Sequence, residues 1–134
     1  MAKTKAHTAY KLKDGTRVKG VTTILSNLGW NKNVLVAWAR RTALAGDDPD
    51  AVLKEAGAIG TLAHYLCECD IKGEEPELDD YSAEQIEKAE NAFLGYLEWK
   101  KMTKPKYEAI ELKMVSEKYR VGGTADFVAR INNS

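Results

Sequence analysis

The chain has two cysteines among 134 residues, no net charge, and no apolar run approaching the ~18 residues of a membrane-spanning helix. Cys67 and Cys69 lie two apart in a predicted helix, about 200° apart around its axis, so they are badly placed to share a bond or a metal. Two thiols are also too few for a four-cysteine site. They read as buried or half-buried free thiols of a reducing compartment. No signal-peptide pattern, internal repeat or low-complexity segment is present. The expectation is a soluble cytoplasmic protein with no membrane partner, folding as a single domain over 1–134.

The balanced charge, 20 basic against 20 acidic residues, does not by itself point to a nucleic-acid binder. It conceals segregation. Residues 1–46 hold nine basic and one acidic residue, a net of +8. Residues 47–98 hold fifteen acidic and three basic, a net of −12, and residues 99–134 hold eight basic and four acidic, a net of +4. Such a chain can fold with one basic and one acidic side.

Residues 8–20 read as a hairpin, with Asp14-Gly15 as the turn. "VTTIL" leads into a short helix that Thr22 or Thr23 can cap. "NKNVLVAWARRTALAG" reads as a helix with an apolar stripe of Val34, Leu35, Trp38 and Leu44. A further helix opens at "DDPD", with Asp48 as cap and Pro49 at the first position, and closes at Gly73. Gly57 and Gly60 each cost it roughly 1 kcal/mol, which implies close packing on that face or a break. Ser82 and Gln85 form a capping box opening a helix that displays Ile86, Phe93 and Leu97 and ends before Pro105. Two alternating strands come next, "YEAIELKMV" and "RVGGTADFVARI". The fold class is α+β: an N-terminal hairpin, helices, then a C-terminal antiparallel strand pair.

Three residues are candidates to carry chemistry, with Asp126 otherwise a strand-end carboxylate bonded to backbone and Glu111 otherwise a solvated edge-strand residue. Asp126 lies between apolar neighbours in a strand, an expensive place for a carboxylate unless it is paired or binds a metal. Glu111 lies on the preceding strand and approaches Asp126 in some registers. Two close carboxylates repel, which raises one pKa or recruits a cation, and oxygen ligands suit Mg²⁺ or Mn²⁺ better than zinc. His64 stands four residues after Gly60 on the same helical face. It completes a mixed nitrogen and oxygen donor set, or it is a structural histidine.

In order, Gly60 and His64, then Glu111, then Gly123 and Asp126, resemble the RecB-like branch of the PD-(D/E)XK nuclease superfamily, which includes phage exonucleases. "GVTTIL" and "AWARR" resemble that family's N-terminal helical part, so the resemblance covers roughly 8–131. It implies the N-terminal part of a restriction-endonuclease-like α/β core and metal-dependent hydrolysis of DNA phosphodiesters in a bacterial or phage-infected cell. Mg²⁺ or Mn²⁺ would be bridged by Asp126, ligated by His64 and supported by Glu111 directly or through water. Arg17, Lys19, Arg40 and Arg41 would meet the DNA backbone, and Trp38 would stack a base or belong to the core.

The family's Asp/Glu-x-Lys strand does not come after Asp126 within these residues. "ELK" at 111–113 has the spacing but precedes the Gly-x-x-Asp element, leaving Lys113 as a substitute for the family's lysine. The expectation is a partial active site with little activity of its own. Its sheet edge would be open to self-association or to a missing C-terminal segment. Two other classes fit the same residues: a non-catalytic DNA- or protein-binding or inhibitory module on the nuclease scaffold, and a structural α+β domain with a coincidental motif order.

Overall fold

A computed structural model describes residues 9–131. Its elements run β1 (Tyr10–Lys11), β2 (Arg17–Gly20), α1 (Val21–Ser26), α2 (Lys32–Leu44), α3 (Pro49–Lys72), α4 (Ala83–Thr103), β3 (Lys106–Ser116) and β4 (Val121–Arg130). The hairpin, the four helices and the closing strand pair make a mixed α+β topology. The described residues fall into two compact units, one of 48–108 with 129–131 and one of 9–47 with 109–128. No described helix is long and apolar enough to cross a membrane.

The first unit is built on α3 and α4. Asp48 accepts the Asp50 N–H at 3.0 Å and Pro49 takes the first turn, which satisfies and pre-shapes that helix end. The helix then runs unbroken through Gly57 and Gly60 to Gly73, whose φ of +72° suits glycine and ends it. Ser82 and Gln85 close the capping box at 3.1 and 3.2 Å. Leu62, Tyr65, Leu66 and Cys69, spaced as one helical face, form the core with Ala89 of α4. Ile59, Ile86 and Phe93 pack around it. The Glu77 N–H donates to the Tyr65 hydroxyl at 3.1 Å, pinning the loop between the helices. Cys67 is half-buried and Cys69 buried, both as free thiols.

One polar network joins α3, α4 and the start of β3. Lys100 Nζ lies 2.6 Å from Asp70 Oδ2, and the Tyr96 hydroxyl donates to the same oxygen at 2.9 Å. With that proton committed, the Tyr107 hydroxyl donates to Tyr96 at 2.7 Å. Burial, then the bonds to Tyr107 and Asp70, push the Tyr96 hydroxyl well above the ordinary tyrosine range.

The second unit holds most of the sheet, whose strand order is β1-β2-β4-β3. β1 and β2 are antiparallel, with Tyr10 opposite Val18 and Lys11 opposite Arg17. β2 and β4 are parallel but share only two pairs, Lys19 with Val121 and Gly20 with Gly122. β4 is thus an inner strand, not the bare edge its place at the end of the chain implied. Beyond Gly122, however, no strand among the described residues pairs on its β2 side. The reason is local: β2 stops at Gly20 and the chain turns at once into α1. That helix starts at Val21 with Gly20 at its cap and no side-chain capping bond, so Thr22 and Thr23 fall inside it instead of capping it.

α2 forms where its sequence places it, but none of its residues is buried. Trp38 is half-buried and Val34, Leu35 and Leu44 are exposed. Among the unit's described hydrophobic side chains, only Leu12 is buried.

Candidate functional site

The sheet's two faces can be assigned from Tyr10. Its ring spans the backbone of β2 and β4: a Cβ built on Gly20 would lie 3.2 Å from Tyr10 Cε2, and one on Gly122 would lie 2.2 Å from Tyr10 Cγ. The Tyr10 hydroxyl hydrogen-bonds Thr124 Oγ1 at 2.8 Å. Tyr10, Val18, Gly20, Gly122 and Thr124 therefore share one face. Alternation along β4 brings Asp126 to the same face, where it is exposed.

Lys113 of β3 belongs there too. Its Nζ lies 5.5 Å from the Tyr10 ring centroid and donates to the Ala9 carbonyl at 2.5 Å. The one cation in the expected Glu-x-Lys stretch is thus on Asp126's side of the sheet, with Tyr10 as the common neighbour of Lys113 and Thr124. Arg17 and Lys19, out of phase with Val18 along β2, are exposed on the opposite face. Arg40 and Arg41 are exposed on α2.

Glu111 departs from the expected alternation. Its φ is +50°, the left-handed region, in the middle of β3. A non-glycine residue there interrupts the pleat, as in a β-bulge, and re-aims the side chains beyond it. Ala109 and Ile110 are accordingly both half-buried, whereas 111–114 are all exposed. The simple two-residue period of "AIELKM" gave no hint of this break.

His64 is exposed on α3, in the first unit. A Cβ at Gly57 or at Gly60 would meet nothing within 4 Å. The close packing expected at these glycines is therefore absent, and the helix carries them at their ordinary cost.

The two consecutive glycines of β4 have different reasons. Gly122 is required by Tyr10, whereas a Cβ at Gly123 would make an ordinary 3.7 Å contact with Val21 Cγ2. Packing thus demands the glycine outside the Gly-x-x-Asp pattern, not the one inside it. Sequence reasoning missed Tyr10 and Thr124 as neighbours of this face. The two are 114 residues apart and no local pattern links them. Beside them, a recess of about 360 Å³ opens where β2 turns away from β4, lined by Tyr10, Val21, Thr22, Met114, Thr124 and Ala125 among others.

Among the described residues, no group of three or more His, Cys, Asp or Glu side chains is gathered as a metal cage requires. Mg²⁺ asks for less: one or two carboxylates, with waters and substrate phosphate completing its shell. Glu111 and Asp126 lie on the neighbouring strands β3 and β4. Compared with protein families, curated proteins and solved structures, the chain matches none.

Proposed function

We propose that this chain carries part of the active site of a metal-dependent DNA phosphodiesterase, on the N-terminal part of a restriction-endonuclease-like core. The observation that supports this reading best is that Asp126 and Lys113 share a sheet face, with Glu111 on the strand beside Asp126. The left-handed backbone at Glu111 adds to it, since strain of this type costs roughly 1–3 kcal/mol and tends to persist where function requires it.

A divalent ion bound there would polarise a phosphate and lower the pKa of a bound water. Asp126 and Glu111 would supply its carboxylate ligands, with waters and the substrate phosphate completing its shell. Lys113 would hold the phosphate's charge on the same face after exchanging its bond to the Ala9 carbonyl for one to the substrate. Arg40 and Arg41 would contact the DNA backbone without reading sequence. Arg17 and Lys19 lie on the reverse face, so they would meet only a strand that wraps the sheet edge.

The test is Mn²⁺ titration by calorimetry, with cleavage of linear DNA measured in parallel. Binding is expected in the chain, lost in D126A and weakened in E111Q. Binding that D126A leaves unchanged would overturn the reading. Cleavage by residues 1–134 is expected to be slight, because no Asp/Glu-x-Lys comes after Asp126 among them. Strong cleavage abolished by K113A would assign the lysine's role to Lys113.

A further inference from the structure

One end of the sheet is basic. The turn between β1 and β2 lies beside the turn between β3 and β4, because the Lys13 N–H donates to Glu117 Oε1 at 2.7 Å. The parallel pairing of Lys19 with Val121 likewise sets Arg17 alongside the residues that lead into β4. Lys11, Arg17, Lys19, Lys118 and Arg120 are all exposed here. The carboxylates of the two turns are committed to backbone: Asp14 accepts the Thr16 N–H at 2.8 Å, and Glu117 accepts that of Lys13. Bonds from Thr16, then the charge of Arg120, hold the Asp14 carboxyl below its ordinary range, so Arg120 stands close to the first turn.

Three of these cations share a face. Lys11 is directly opposite Arg17, and Lys19 follows Arg17 at the two-residue period, on the side away from Tyr10. Like charges set opposite one another across a strand pair repel. Among the described residues, no ion pair holds any of the three. An anionic chain laid along them would relieve that repulsion. Arg17 and Lys19 are about 7 Å apart at the rise of a strand, a spacing that successive phosphates of an extended polynucleotide can follow.

Tyr119 is an observation of a different kind. Its N–H donates to Ser116 Oγ at 3.2 Å, which fixes the turn, yet the residue is 72% exposed. Lys118 Nζ lies over its ring, 5.1 Å from the centroid. An exposed aromatic ring among cations suits a stacked base, and a base is free to stack there only when unpaired.

We propose that this end of the sheet is a track for single-stranded DNA. Lys11, Arg17 and Lys19 take successive phosphates on the reverse face, Lys118 and Arg120 carry the positive charge round the turn, and Tyr119 stacks a base. The track takes its ligand, DNA, from the proposed function but uses none of the metal-site residues, and its phosphate contacts read no sequence.

Fluorescence anisotropy tests it, with a labelled twelve-nucleotide oligothymidine strand and a duplex of the same length, both in EDTA. The strand is expected to bind with a Kd on the order of 10 μM at low salt. Y119A should weaken the strand at least about five-fold and leave the duplex unchanged, whereas Y119F, which keeps the ring, should bind as the wild type does. R17Q/K19Q should weaken the strand and make its log K against log salt shallower by about 1.4, the share of two phosphates. Circular dichroism checks that each variant is folded. No binding of the strand at low salt would overturn the proposal. So would a Y119A that binds the strand like the wild type or loses strand and duplex alike, an unchanged salt slope in R17Q/K19Q, or displacement of the strand by poly-glutamate at equal charge. Because EDTA removes divalent ions, a chain that binds no Mn²⁺ can still pass, and one that fails here leaves the metal reading standing.

Discussion

The ring of Tyr10 occupies the space that a side chain at residue 122 would fill: a Cβ on Gly122 would lie 2.2 Å from Tyr10 Cγ and 2.4 Å from Tyr10 Cβ. These are the root atoms of the side chain, held by the strand, and they cannot swing aside as a ring tip can. Gly122→Ala is therefore expected to overpack the contact between the first and last strands and to cost roughly 1–3 kcal/mol. The partner variant discriminates. Tyr10→Ala keeps the Cβ and should not rescue G122A, whereas Tyr10→Gly should. Urea-unfolding midpoints of the single and double variants would measure that coupling. A G122A midpoint equal to the wild type's would show that the two residues do not constrain each other.

At Gly60 the structure reverses the sign that the sequence implies. A glycine repeated inside a helix reads as a place where another element comes close, and a larger residue should then destabilise. With nothing within 4 Å of the added Cβ, only the helical preference remains. Gly60→Ala is expected to stabilise by about 1 kcal/mol, and Gly57→Ala by a similar amount. A drop in the thermal or urea midpoint of either variant would restore the close-packing view.

These two cases mark how far local pattern reaches. Helix ends were legible because their chemistry is local: Asp48-Pro49 at the start of α3, Gly73 at its end, and the Ser82–Gln85 box of α4 all act over a few residues. The core stripe of α4 was legible from its period. The apolar stripe of α2 was legible as a helix, but periodicity cannot say whether a cover exists. Long-range constraints left no trace, so Gly122 passed as part of a motif although Tyr10 is its cause. The break at Glu111 was hidden because a glutamate at a positive φ has no compositional signature, unlike a glycine. Of the site residues, Asp126 and Lys113 could be placed on strands from sequence. Their shared face depended on register, which sequence did not supply.

Glu111 offers a way to separate folding from function. Its left-handed φ of +50° is a conformation that glycine adopts freely and glutamate only at a cost. Glu111→Gly is expected to stabilise the chain by about 1 kcal/mol, because backbone relief outweighs the loss of an exposed side chain. Glu111→Ala removes the carboxylate and keeps the strain, so it should not share that gain in stability. Both should weaken Mn²⁺ binding alike if the carboxylate is a ligand. Should E111G instead destabilise, the backbone at this position would not be strained.

The Asp70–Tyr96–Tyr107 network predicts a specific response to alkali. The folded chain holds the Tyr96 proton to higher pH than the unfolded chain does, because burial and the bonds to Tyr107 and Asp70 all raise its pKa. An unfolded tyrosine loses that proton near pH 10. Below that pH both states carry it, and the network's contribution is complete. As pH rises past it, the unfolded state binds fewer protons than the folded one, so stability falls. Tyr96→Phe removes the titrating group and the bonds to Asp70 and Tyr107, and should cost roughly 1–3 kcal/mol at pH 8. The gap between wild type and Y96F should then narrow between pH 10 and 11, because only the wild type loses this contribution. Urea titrations at pH 8, 10 and 11 measure it, with the m value checked for constancy at each pH. A gap that stays the same across that range would mean that the Tyr96 hydroxyl titrates alike in the folded and unfolded chains, and that its bonds to Asp70 and Tyr107 do not hold the proton.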